Sequence, residues 1–293
     1  MAKDRILPTN DLMFKKAFAS EGSEDITIGL IQDFFGFAPK ELVLKMPYSI
    51  DSYLELLGKN DIATLRQTIK DVRASLVASD FIAELQIRKT SHYDKRAFYY
   101  LCDDYCGNYN LKAPAGPLAD AVAISRYASL KPVFMLNILG YNHYTGDERA
   151  LRIFEPYDPE RQLRPTEPLY RQAFFELRKA EIETENQRHW RDFFVSGEVA
   201  DTAPEYIKGA GRLLAEANLS RKEKEAMDIM EKATADYEAE LAYARLQGIE
   251  EGHQRGVEEM ARKMLAKNIH ADYVQEITGL GLEAIKDLQM RMN

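Results

Sequence analysis

Cysteine, tryptophan and histidine are scarce: two, one and five residues in 293. So few cysteines exclude a disulfide framework and fit a reducing cytoplasm, the compartment expected here. Cys102 and Cys106 lie four apart in a helical stretch and hence on one face. No His or Cys pair stands ready to complete a tetrahedral zinc site, so they are read as buried free thiols. The histidines are scattered and form no H-E-x-x-H, which excludes the common zinc-hydrolase motif. Also missing is any apolar run near the roughly 18 residues of a membrane span. Met1-Ala2-Lys3-Asp4-Arg5 lacks the apolar centre of a signal peptide. No membrane partner is therefore expected.

An overall basic excess is absent too. The formal net charge is −8, an unfavourable balance for contacts to nucleic-acid phosphates. Divided along the chain, the charge is uneven. Residues 1–84 carry −3, residues 85–179 carry +3 and residues 180–293 carry −8. The positive third includes Arg149, Arg152, Arg161, Arg164, Arg171 and Arg178, and suggests a phosphate-facing surface with modest, salt-dependent binding. A solvated mixed-charge surface accounts for the same small excess. At 45% hydrophobic and 29% charged residues, the composition is that of an ordinary globular chain with ample core material.

What is present concentrates in residues 67–109. Phe81-Ile82-Ala83-Glu84-Leu85-Gln86-Ile87 alternates, so Glu84 and Gln86 share one face of a strand while Phe81, Ala83, Leu85 and Ile87 take the other. Gln67–Val77 reads as the preceding strand, and a turn near Ala78-Ser79-Asp80 brings Asp71 alongside Glu84. Two converging carboxylates make a hard-oxygen site for Mg²⁺ or Mn²⁺, the chemistry of metal-assisted phosphodiester cleavage. The bland alternative is the solvated face of an antiparallel sheet. In the following helix, His92–Tyr109, Arg96 either reaches a phosphate through its two-pronged guanidinium or pairs with Asp94 or Asp103.

Asp71, Glu84-x-Gln86 and a helix carrying Arg96 and Tyr99-Tyr100 resemble the PD-(D/E)XK nuclease family transposases, also called recombination-promoting nucleases. Thr9-Asn10-Asp11-Leu12-Met13-Phe14-Lys15-Lys16-Ala17-Phe18 resembles that family's opening helix. Gly248, Gly252 and Gly256 with Met260–Leu265 resemble its end, while residues 110–240 match loosely. The resemblance implies an α/β (α+β) restriction-endonuclease-like core, a mixed central sheet flanked by helices, with a helical C-terminal region. It implies Asp71 and Glu84 as metal ligands, the Leu85 carbonyl as a third, and DNA as substrate. Gln86 stands where the superfamily more often has lysine; an amide orients a water but is no base. Lys70 stands in place of the signature's first proline. Asp11 is either a third acid of the cluster or a first-turn acid favoured by the helix dipole.

The remaining pattern gives helices at Thr9/Asn10–Phe18 and Glu24–Phe35, the latter ended by Gly36, and a first strand at Met46–Leu57. Asn110–Pro117 is a turn region. Val133–Leu139 is a strand buried on both faces, with further strands at Leu151–Tyr157 and Tyr170–Leu177. Helices follow at Ala180–Phe194, Ala203–Ala217 and Arg221 to about Leu265. Three domains are expected: 1–179 nuclease-like, 180–247 a helical extension, and 248–293 a glycine-striped helix with a helix-turn-helix-like tail (Ala271–Thr278, Leu282–Leu288). Glycine costs about 1 kcal/mol against alanine inside a helix. Three in register point to a close helix approach in a homodimer, or to a kink. Lys286 alone among Glu283 and Asp287 argues that the tail packs rather than reads DNA. Three functions compete: a metal-dependent DNA endonuclease, a catalytically silent interaction module of the same fold, and a purely structural oligomer.

Overall fold

The computed structural model describes residues 7–59, 71–110, 127, 129–215 and 218–292. The chain divides into two compact units, Met1–Met227 and Asp228–Asn293. By packing, the helices between residues 180 and 227 belong with the first unit. Lys70, the terminal Met1–Arg5 stretch and nearly all of the 110–117 turn lie outside the described residues. No helix among the described residues is long and apolar enough to cross a membrane.

The first unit is a three-layer α/β structure. Its elements run α1 (Asp11–Ala19), α2 (Glu24–Phe35), β1 (Leu42–Leu44), α3 (Ile50–Lys59), β2 (Asp71–Leu76), β3 (Asp80–Gln86), α4 (Tyr93–Gly107), β4 (Val133–Leu139), β5 (Leu151–Phe154), β6 (Tyr170–Glu176), α5 (Glu185–Ser196) and α6 (Glu205–Leu213). The six strands form one sheet in the order β1-β2-β3-β4-β6-β5. It is mixed: β1-β2-β3 and β5-β6 pair antiparallel, β3-β4 and β4-β6 parallel. This is the architecture of a PD-(D/E)XK nuclease fold.

Both sheet faces are covered, which is why β3 and β4 are buried throughout. On one face α2 lays Phe34 against Phe175 (ring centres 4.8 Å apart) and Phe35 against Phe134 (5.4 Å). Beyond them Phe18 of α1 meets Trp190 (5.6 Å) and Phe194 (5.9 Å) of α5. Asp33 of α2 ties that layer together, accepting from Trp190 Nε1 (2.8 Å), Asn186 Nδ2 (2.8 Å) and Tyr206 OH (3.0 Å). On the other face α4 presses Tyr93, Ala97 and Leu101 onto Ile82, Val133, Met135, Leu139 and Phe174. The carboxylate-bearing face of β3 is therefore not a solvated face.

Two expectations are corrected. The stretch 46–57 is not a strand: β1 ends at Leu44 and α3 begins at Ile50. Ile50, Tyr53, Leu54 and Leu57 repeat with the helical period, and Ser49 caps the helix by accepting from Ser52 N at 3.3 Å. The cysteines are not buried, since Cys102 is half-buried and Cys106 exposed. The inward stripe of α4 is Tyr93, Ala97, Leu101 and Asp104, and both cysteines fall beside it.

A helix α7 (Arg221–Ala266) begins in the first unit and continues into the second, followed by α8 (Ala271–Thr278) and α9 (Leu282–Met292). Within the second unit Ala261 and Leu265 of α7 pack with Val274, Ile285 and Leu288. Val274, Ile285 and Leu288 of the α8-turn-α9 tail thus face a small core, and Gly279 supplies the left-handed turn (φ 72°).

Candidate functional site

The turn at Ser79 sets the register of the β2-β3 hairpin, and that register makes Asp71 the direct partner of Glu84. Register partners in an antiparallel pair share a face of the sheet. Position 71 therefore lies on the face of Glu84; the side chain of Asp71 lies outside the described residues. Glu84 and Gln86 are 2% and 3% exposed. They stand at the C-terminal end of β3, next to the parallel strand β4, where Asn137 is the register partner of Glu84.

From Gln86 the chain turns within six residues into α4. The left-handed backbone of His92 (φ 59°) makes that turn tight, and Gln86 Nε2 fastens it by donating to the Arg88 carbonyl at 2.5 Å. One helical turn on, Arg96 points back at the strand. Its Nη2 donates to Gln86 Oε1 at 2.5 Å and lies 3.9 Å from Glu84 Oε1. The guanidinium also sits over the Tyr93 ring, 5.1 Å from its centre. Arg96 thus pairs with the candidate site and not with Asp94 or Asp103. The Tyr93 hydroxyl donates to Asn137 Oδ1 (2.9 Å), and Asn137 Nδ2 donates to the Ala173 carbonyl (2.9 Å). The only polar residue of β4 is thereby satisfied, as a buried amide must be.

Successive carbonyls on a strand point to opposite neighbours. Gly140 N takes the Gln86 carbonyl on the β4 side at 2.9 Å. The Leu85 carbonyl accordingly points to the β2 side, toward the edge where Asp71 opens its strand. Asp11 stands in the first turn of α1. There its charge, added to the larger effect of burial, raises the pKa of the Tyr53 hydroxyl of α3. Among the described residues no group of three or more His, Cys, Asp and Glu could hold a metal ion.

A family model for PD-(D/E)XK nuclease family transposases matches residues 8–244. The chain belongs to that family. No curated protein and no solved structure matches it significantly. The transposase-family match spans the whole sheet and its covering helices, including the loosely patterned stretch from residue 110 onward.

Within this family fold, further residues gather at the same end of the sheet. Glu176, at the end of β6 and fully buried, accepts from the His143 and Tyr144 backbone amides (2.5 and 3.1 Å) and from Arg152 Nη1 (2.6 Å). His143 Nε2 lies 2.7 Å from Asp94 Oδ1. Tyr141, directly after Gly140, is 7% exposed. Burial pushes its hydroxyl up to about 12, with Arg96 pulling it down and Asp94 and Glu176 pushing it up. None of Asn137, Tyr141, His143 or Glu176 stood out in the sequence. Asn137 offered a signal, as the one amide in an otherwise apolar run. At the opposite end of β3, Lys45 holds Asp80 (3.1 Å) and Asp104 (3.3 Å) together. Burial raises the pKa of Asp104 there, partly offset by Lys45.

The arginines of the positive third are mostly engaged. Arg152 pairs with Asp147 and Glu176, Arg164 and Arg171 share Glu155, and Arg161 faces Asp158. That surface is a mixed-charge network.

Proposed function

We propose that this chain is a divalent-metal-dependent DNA endonuclease acting in the cytoplasm, with its site at the C-terminal edge of β3. The observation that carries the reading is the direct pairing of Asp71 with Glu84, at a buried strand end onto which Arg96 folds back. The donor set fits a hard cation: two carboxylates and the Leu85 carbonyl, all oxygen, would hold Mg²⁺ or Mn²⁺. Such an ion, when bound, polarises the scissile phosphate and lowers the pKa of a coordinated water. Gln86, two residues beyond Glu84 on the same face, has an N–H and a lone pair beyond its two bonds, enough to orient a water. Arg96 supplies positive charge for the phosphate oxygens as negative charge grows on them. The water oxygen forms the new P–O bond, one ester P–O bond breaks, and the leaving oxygen is protonated. Asp11 is assigned the helix-dipole role.

A second reading, a silent DNA- or protein-binding module, is favoured by one observation. Gln86 Oε1 and Nε2 are both already bonded, to Arg96 and the Arg88 carbonyl. Plasmid nicking with Mg²⁺ or Mn²⁺ at low salt decides between the two. Metal-dependent nicking that Asp71→Ala and Glu84→Ala each reduce by at least about a hundredfold, as expected for losing a ligand, supports the endonuclease. Folded wild type that binds DNA without nicking it supports the module.

For the second unit we propose self-association into a homodimer. Gly248, Gly252 and Gly256 have open space where a Cβ would stand. Leu246 and Ile249 beside them are 66% and 59% exposed.

A further inference from the structure

Tyr141 carries its hydroxyl into the interior, where the oxygen is buried and has no hydrogen-bond partner among the described residues. The same is true of Arg96 Nε. Leaving a buried polar group without its hydrogen bond is costly, so each such group in a folded protein calls for an explanation. With His143 Nδ1, buried without a partner two residues from Tyr141, three such atoms lie at one end of the sheet and call for a shared one.

The backbone fixes Tyr141 and Arg96 against Gln86. Gly140 N is bonded to the Gln86 carbonyl. A Cβ at position 140 would stand 2.8 Å from the Ile87 carbonyl oxygen. The strand end that carries Tyr141 is therefore locked to the β3 edge with no slack. Arg96 is bonded to the same Gln86 through its side chain, and its Nη2 lies 3.9 Å from Glu84. Tyr141 and Tyr93, the ring under the Arg96 guanidinium, belong to one packed cluster. Arg96 is also the charge that acts most strongly on the Tyr141 hydroxyl. A neutral O–H donor and an N–H of a permanent cation, both without a partner among the described residues, are donor types suited to an anionic oxygen.

We propose that the Tyr141 hydroxyl and Arg96 Nε bind a non-bridging oxygen of the scissile phosphodiester, making Tyr141 a substrate-contacting residue of the site. This rests on the endonuclease reading, and its test is separable from that one. Tyr141→Phe removes the oxygen and keeps the ring in the cluster. Dimethyl phosphate, a single phosphodiester unit, is the probe. With Mg²⁺ present, Tm is measured in dimethyl phosphate and in chloride of equal ionic strength, alongside kcat/KM for plasmid nicking.

The expected result has three parts. Tyr141→Phe has an unliganded Tm equal to or above wild type, because an unpaired buried hydroxyl is gone. The Tm gain from dimethyl phosphate, present in wild type, is lost. kcat/KM falls about tenfold or more, the usual cost of a hydrogen bond to a charged group. If the variant keeps both the gain and kcat/KM, the inference is overturned while the endonuclease reading stands. If wild type gains nothing from dimethyl phosphate, the inference is likewise overturned. A large fall in unliganded Tm makes the hydroxyl a structural group and also overturns it. If wild type never nicks DNA but its phosphodiester gain vanishes in Tyr141→Phe, the donor pair stands and the endonuclease reading falls.

Discussion

Gln86 is held at both ends of its amide, and the residue that holds its oxygen is a cation. This explains how an amide can occupy a position where the superfamily more often has lysine. A lysine here would bring an ammonium into a pocket 3% exposed, against the guanidinium that now bonds Gln86 at 2.5 Å. Gln86→Lys is accordingly expected to destabilise the fold by about 1–3 kcal/mol, since the bond from Arg96 is lost and two cations are set side by side. Adding Arg96→Gln should recover at least about 1 kcal/mol of that loss, a coupling that a double-mutant cycle by urea denaturation measures. Additive effects would mean that Arg96 does not hold position 86. The face of Glu84 and Gln86 was legible from residue alternation alone. The partner of Arg96 was not, because a turn and one helical turn separate it from Gln86, and only the left-handed His92 aims it back.

At the scale of elements, two junctions fix the architecture. Ser220-Arg221-Lys222-Glu223 is a capping box: Glu223 N donates to Ser220 Oγ (3.2 Å) and Ser220 N to Glu223 Oε2 (2.7 Å). Glu223 also meets Lys16 of α1 at 2.8 Å and accepts from Tyr48 OH at 2.7 Å. Burial works against its charge, but Lys16, Tyr48 and Ser220 outweigh it and hold the carboxyl below its ordinary value near 4.5. A depressed folded pKa contributes stability that is complete above the unfolded value and lost as pH falls through the folded one. Glu223→Gln should therefore cost about 3 kcal/mol at pH 7. The difference from wild type should shrink as pH drops below about 4.5. Chemical denaturation across pH tests the sign; a gap that widens in acid would refute the assignment. At the other junction, Gly140→Ala would push a Cβ to 2.8 Å from the Ile87 carbonyl oxygen and 2.9 Å from its Cα. Neither backbone atom can swing aside as a side chain would. Loss of about 1–3 kcal/mol is expected; if the proposed site lies at the β3-β4 end, nicking falls further than stability. Equal activity in a folded variant would show that this junction has slack. Strand β4 and helices α2 and α8 were readable to the residue, since period and caps agree there. Segment 46–57 was not, because its helical spacing is short and hydrophobic enough to pass for a strand.

For the whole molecule, the formal charge of −8 and the pairing of Arg152, Arg161, Arg164 and Arg171 with carboxylates leave little long-range attraction for DNA. Binding is expected to depend on local contacts at the β3 edge and to weaken steeply with salt. In the second unit, residues Leu241 to Gly256 are exposed along α7, and the glycine stripe meets nothing among the described residues. If a second copy packs there, Gly252→Leu should shift the sedimenting species from dimer to monomer without lowering helicity. An unchanged mass would remove the dimer proposal. By itself the sequence determined the alternation that exposes one acid face, the apolar β4 run, the helix caps and the family resemblance. These are local periods and local chemistry, written in neighbouring residues. Only the tertiary structure decided that α4 buries the acid face, that Arg96 answers to Gln86 and Glu84, and that Asn137, Tyr141, His143 and Glu176 join the same end of the sheet. Paired parallel strands meet there through crossovers, with Glu84 beside Asn137 and Asn137 beside Phe174, and no local pattern records which ends will coincide.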